Sequence, residues 1–271
     1  MTWEQETFQQ ILMQLYDVVI AASPLPAAEI QGKAPRIAPS PAITAAACAI
    51  LARATSVRSE AFKKALLPSI HFPFLPALYV EETIMTLPAH DADEQDFDPV
   101  IVTNASLRRT CSILTTLLLH SPPSTDLRRF YVGPLIPAMI SLMRFLASTK
   151  ADSVLDDMVH STLVTWAKGE DEAEAIKMIR RAIETVEEGK EFGSFDGSDY
   201  YWARSDEGTV CIRRGALASQ VDQPFLRIDV NSFISWLQRI DRKDVAGALF
   251  LRWLDEIQQF QNSTSAEDSK R

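Results

Sequence analysis

Residues 153–188, SVLDDMVHSTLVTWAKGEDEAEAIKMIRRAIETVEE, decide the fold. Leu155, Met158, Val159, Thr162, Leu163 and Trp166 recur three and four residues apart, which places them on one stripe of a helix. Ile176, Ile179, Ile183 and Val186 form a second stripe. Only Lys168-Gly169-Glu170-Asp171 separates the two, and so short a connection makes the helices antiparallel neighbours.

The same period runs outward in both directions. Phe8, Ile11, Leu12, Leu15, Val18 and Val19 stripe a helix within residues 1–22. A Pro-rich linker, residues 23–40, follows, and its prolines forbid helix. Ser40-Pro41 reads as an N-cap with proline at the first helical position, opening an Ala-rich helix to Ala54. Further helices are expected over Glu60–Leu67, ended by Pro68, and over Leu78–Leu87, Leu107–Leu119 and Ile136–Ala147. Together these make 41–190 a helical-repeat region. Residues 88–99 interrupt it as an exposed acidic loop, where Asp91, Asp93, Glu94, Asp96 and Asp98 repel one another.

Six of the nine glycines lie between Gly169 and Gly215. There Tyr200 and Trp202 alternate on one side of Ser205-Asp206-Glu207-Gly208, and Val210 and Ile212 on the other. That pattern gives residues 191–223 a small β-hairpin insertion. Phe233, Trp236, Leu237 and Ile240 begin a C-terminal helix pair, 224–261, whose last helix starts at Asp244 and carries Leu249, Phe250, Trp253, Ile257 and Phe260. The polar residues 262–271 read as a disordered tail. The fold expected is all-α, a HEAT/armadillo-like α-solenoid of antiparallel helix pairs in which stacking makes the core continuous. An irregular helical bundle is the alternative.

The chain has 271 residues, 46 % of them hydrophobic, with 27 basic against 36 acidic side chains for a net charge of −9. This is a globular composition, and its acidity argues against general affinity for nucleic acid or anionic membrane. No run approaches ~18 uninterrupted apolar residues, so no membrane span is expected. The acidic opening Met1-Thr2-Trp3-Glu4 does not resemble a secretory signal, which leaves Asn104-Ala105-Ser106 and Asn262-Ser263-Thr264 as chance glycosylation sequons. Cys48, Cys111 and Cys211 are widely spaced and odd in number, favouring free thiols in a reducing compartment.

Chemistry is sparse. Phosphate loops, nucleophile elbows and the His-Glu-x-x-His zinc pattern are all missing, and no cofactor or metal is called for. Asp156 and His160 stand at i and i+4, a spacing that can bind metal but leaves a two-ligand site incomplete. With Cys111 they would form the core of an enzyme, the least favoured reading. His71 sits in a Pro-rich turn and His120 ends a helix. His90-Asp91-Ala92-Asp93 and Asp196-Gly197-Ser198-Asp199 read as a solvated loop and a turn rather than cation sites. Arginine doublets recur at 108–109, 128–129, 180–181 and 213–214, with Arg239, Arg242 and Lys243 nearby. On one ridge they would form a basic strip for an acidic partner; the plainer reading pairs them with neighbouring carboxylates, as Arg180 with Glu184. The candidate partner-binding residues are Arg128, Arg129, Trp202, Arg213, Arg214 and Arg242.

The run from Phe233 to Glu256, FISWLQRIDRKDVAGALFLRWLDE, resembles a segment of the Tango-type transport and Golgi organisation proteins. Their fungal relatives are RNA polymerase II assembly and nuclear-transport factors. The Leu163-Val164-Thr165-Trp166 helix, its partner and the Trp202 hairpin occur in similar order, so the likeness spans Pro134–Gln261. The resemblance implies a non-catalytic HEAT-like scaffold, cytoplasmic and also nuclear, whose protein partners would be polymerase subunits or import machinery. A secretory, Golgi-organising scaffold is the alternative it carries. This chain resembles only a portion of such a solenoid.

Overall fold

The computed structural model describes residues 3–24, 38–79, 99–122, 126–187, 192, 200–215 and 230–268. The chain is mostly helical, with nine α-helices among the described residues and a small three-stranded sheet. The helices are α1 (Trp3–Ala22), α2 (Pro41–Val57), α3 (Ser59–His71), α4 (Asn104–His120) and α5 (Ile136–Thr149), then α6 (Ser153–Lys168), α7 (Glu172–Glu187), α8 (Val230–Ile240) and α9 (Lys243–Asp268). The strands are β1 (Val100–Val102), β2 (Tyr200–Arg204) and β3 (Val210–Arg214).

Local chemistry explains the boundaries. The Ser40 hydroxyl accepts from the Ile43 N–H at 3.3 Å, with Pro41 at the first helical position of α2. Pro68, expected to stop α3, lies inside it, and the helix closes at His71. Before α5 the chain takes a π-turn over Leu127–Val132 and a 3-10 turn over Gly133–Leu135. The continuous helical run Leu127–Thr149 has the length and apolarity of a membrane span, and 78 % of its apolar window is buried inside the protein. Helix α9 continues to Asp268, where a disordered tail was expected from residue 262; the stretch from Asn262 to Asp268 holds no proline or glycine that would stop it.

From α4 onward, packing chiefly joins alternate helices and one consecutive pair. α4 packs on α6 and α6 on α8, while α5 packs on α7 and α7 on α9. α5 also packs on α6, whereas α6 and α7, expected as antiparallel neighbours, approach each other less closely than any of these pairs. α1 packs on α2, α3 and α4, joining the N-terminal helices to this stack. One core runs through them, from Leu12, Leu51 and Phe62 through Leu114, Ile136 and Trp166 to Trp236 and Leu249.

The hairpin forms as the sequence indicates, its turn closed by Gly208 at φ 77°. It is not alone. β1, which no pattern in the sequence marks, pairs antiparallel with β3 and gives the order β1-β3-β2. A three-residue strand is too short to show period two and is fixed only by its distant partner. The acidic stretch 91–98, the 196–199 turn and most of the linker fall outside the described residues, as does all but the first two residues of the helix expected over Leu78–Leu87.

Candidate interaction surface

Helices α4 and α6 lie side by side and parallel, which places two helix N-termini together at one end and two C-termini at the other. Each end has a charge solution. At the N-terminal end Asp152 caps α6, accepting from the Leu155 N–H at 3.0 Å. The same carboxylate accepts from Asn104 Nδ2 at 2.9 Å and from Arg108 Nη2 at 2.7 Å to both oxygens. Burial raises its pKa, but these donors outweigh that and hold it below the ordinary value.

At the C-terminal end the cap is Arg128. Its Nη2 donates to the Leu118 carbonyl of α4 at 3.2 Å, and its Nη1 to the Thr165 and Trp166 carbonyls of α6 at 3.2 and 2.9 Å. Unpaired carbonyls and the negative dipole end of both helices make this a favourable seat for a cation. Gly169 lets it fit: a Cβ there would collide with Cζ and both terminal nitrogens of the guanidinium. The buried Glu170 carboxyl is raised by desolvation, against which Arg128 pulls it down. Arg242 serves the same helix end, donating to the Ala167 and Glu170 carbonyls at 3.1 and 2.7 Å while its Nε bonds Asp244. That hydrogen bond brings the Asp244 carboxyl to about 2. Arg204 reaches the Thr149 carbonyl at the end of α5.

The six candidate contact residues therefore divide. Arg128 is 7 % exposed and Trp202 8 %, so neither is a surface contact. Trp202 packs on Phe192 with ring centroids 5.0 Å apart and donates from Nε1 to Ser141 Oγ of α5 at 3.0 Å. The hairpin is thus packed onto the helices, not projecting from them. Arg242 holds a helix end. Arg213 faces Asp206 at 3.6 Å, and the Arg214 backbone N–H donates to Pro99 O at 3.1 Å, both within the sheet. Arg129 alone stands half-exposed, 3.7 Å from Glu174, with its guanidinium 5.5 Å from the exposed Phe130 ring. These six form no common basic ridge among the described residues. Most of the doublet and nearby arginines pair with carboxylates, as the plainer reading has it: Arg108 with Asp152, Arg129 with Glu174, Arg180 with Glu184, Arg213 with Asp206, Arg239 with Asp157 and Arg242 with Asp244. Arg128 and Arg242 add a role that neither reading contains, as donors to helix carbonyls.

Of Asp156, His160 and Cys111, the structure pairs the first two and buries the third. His160 Nε2 is 3.5 Å from Asp156 Oδ1, with burial lowering the imidazole and raising the carboxyl. The Cys111 thiol is wholly buried and pushed up to about 12, far from thiolate at neutral pH. Among the described residues no group of three or more His, Cys, Asp or Glu could hold a metal. An apolar groove of about 440 Å³ lies between α1, α2, α4 and α6, lined by Thr44, Thr116, Leu119 and Met158 among others. Asp156, His160 and Cys111 do not line it.

What the surface offers instead is unpartnered apolar side chains. Ile43, Ile50 and Val57 stand out from α2, and Phe250, Leu251 and Leu254 from α9 beside Gly247, which has open space around it. Period alone misses the α2 row, because that helix is apolar nearly all round. Its seven-residue spacing was the available signal. No family model, curated protein or solved structure matches the chain.

Proposed function

We propose that this chain is a non-catalytic scaffold for protein–protein interaction, built as a HEAT/armadillo-like α-solenoid and related in role to RNA polymerase II assembly and nuclear-import factors. The observation that carries the reading is the alternate packing of α4, α6 and α8 in one row and α5, α7 and α9 in another, with α5 and α6 joining the rows. That is how helix pairs stack when each repeat contacts chiefly its neighbours. Helix α9 ends the series with Phe250, Leu251 and Leu254 uncovered, as a helix does where a further repeat or a partner would stack. Its partners on this reading are polymerase subunits or import proteins, met in the cytoplasm and nucleus. The resemblance over Phe233–Glu256 supports that partner class, and equally the secretory alternative.

Affinity capture of the full chain from cells, with quantitative mass spectrometry, tests it. Polymerase subunits or import receptors should be enriched. Coat or Golgi proteins in their place would transfer the role to secretion, and chaperones alone would end the scaffold reading.

A further inference from the structure

Helix α2 has two apolar faces. The inner one, with Ala47, Cys48 and Leu51, is buried against α1 and α4. On the outer one Ile43, Ile50 and Val57 are 55, 52 and 59 % exposed. Ala46 and Arg53 fill the intervening seam positions, so the row reads i, i+3, i+7, i+10, i+14 over the whole helix. Small Ala46 beside β-branched isoleucines leaves holes into which a second helix can set its knobs.

We propose that this seam docks one amphipathic helix of a partner protein, with apolar side chains over Ile43, Ile50 and Val57 and acidic side chains facing Arg53 and Arg58. The proposal rests on the scaffold reading and gives it a partner chemistry. Charge decides the occupant. Residues 41–57 contain one arginine and no acid, and exposed Arg58 follows directly, in a chain whose net charge is −9. Neither arginine has an ion-pair partner among the described residues. Of the acids at this end of the helix, Asp126 accepts from Ser56 at 2.5 Å, and Glu60 pairs with Lys63 at 2.9 Å.

A second copy fits poorly. Two copies face to face would gather four arginines, Arg53 and Arg58 of each, with no carboxylate supplied by either α2. A face about 25 Å long and 10 Å wide also offers only about 250 Å² per copy, against the roughly 800 Å² per partner of a stable dimer. A lipid surface fits poorly too, since anionic membranes recruit clusters of about four to eight cations and this ridge has two. A single acidic helix, bound weakly and transiently, suits both the area and the charge.

The test uses the full chain and two labelled 21-residue synthetic helices, both with Leu at the a and d positions, one with Glu and the other with Lys at e and g. By fluorescence anisotropy the Glu helix should bind at least ~10-fold tighter than the Lys helix, and Ile50→Glu should weaken it at least ~10-fold. Arg53→Glu with Arg58→Glu should reverse the preference, a readout that loss of folding cannot imitate. Ile50→Ser, with an unchanged melting curve, serves where the glutamate is disruptive. Equal binding of both helices, or indifference to Ile50, overturns the proposal. So does a concentration-dependent dimer abolished by Ile50→Glu, or binding to phosphatidylserine vesicles without binding to the helix. Any of these results together with successful affinity capture would remove the seam and leave the scaffold standing.

Discussion

Gly169→Ala isolates the arginine that ties α4 to α6. Gly169 sits at φ −98°, ψ 3°, a conformation alanine adopts without strain. By backbone entropy alone the substitution should therefore stabilise by about 0.4–1 kcal/mol. The added Cβ instead falls on the Arg128 guanidinium, which must withdraw far enough to lose its carbonyls. Three hydrogen bonds from a buried cation are at stake, at 2.9 to 3.2 Å. Bonds to charged groups contribute roughly 1.5–3 kcal/mol each, and water entering the gap recovers part, so a loss of roughly 3–5 kcal/mol is expected. Urea denaturation followed by circular dichroism measures it, as a lower midpoint at unchanged slope. Arg128→Met supplies the control: in that background Gly169→Ala should be neutral within about 1 kcal/mol, giving a large coupling energy in the double-mutant cycle. Equal cost in both backgrounds, or under about 1 kcal/mol in the native one, would refute the clamp.

Other consequences are as direct. His71 is buried with Nε2 at 2.7 Å from the Tyr131 carbonyl, and burial depresses it to about 4. The unfolded chain takes that proton first, near pH 6.5, so this stability is complete above 6.5 and lost as pH falls toward 4. At pH 4.5 the loss is about 2.5 kcal/mol, and His71→Gln should flatten that part of the stability–pH curve. All three cysteines are buried and raised by desolvation, Cys48 to about 11 and Cys111 to about 12. Ellman's reagent at pH 8 should therefore label none of them quickly until denaturant is added. Trp202→Ala should cost about 3–5 kcal/mol and raise hydrogen exchange in β2 and β3 before the helices. Ser40→Ala should cost about 1 kcal/mol, seen as a lower melting temperature, through the lost cap on α2.

The elements that local physics controls are legible along the chain. Helical period marked α6 and α7, Ser40-Pro41 marked the start of α2, and alternation around Gly208 marked the hairpin, because each signal lies within one turn or one strand pair. Where the cations go depends on long-range packing. Arg128, Arg204 and Arg242 meet carbonyls 37, 55 and 75 residues away, in elements whose ends are brought together by packing. No spacing rule along the chain encodes those meetings. β1 likewise exists because β3 lies beside it. On α2 the sequence shows apolar residues all round, and only burial by α1 and α4 separates the inner face from Ile43, Ile50 and Val57. A side chain's type is written in the chain, but whether it meets a neighbour or water depends on which distant surfaces the fold has already covered.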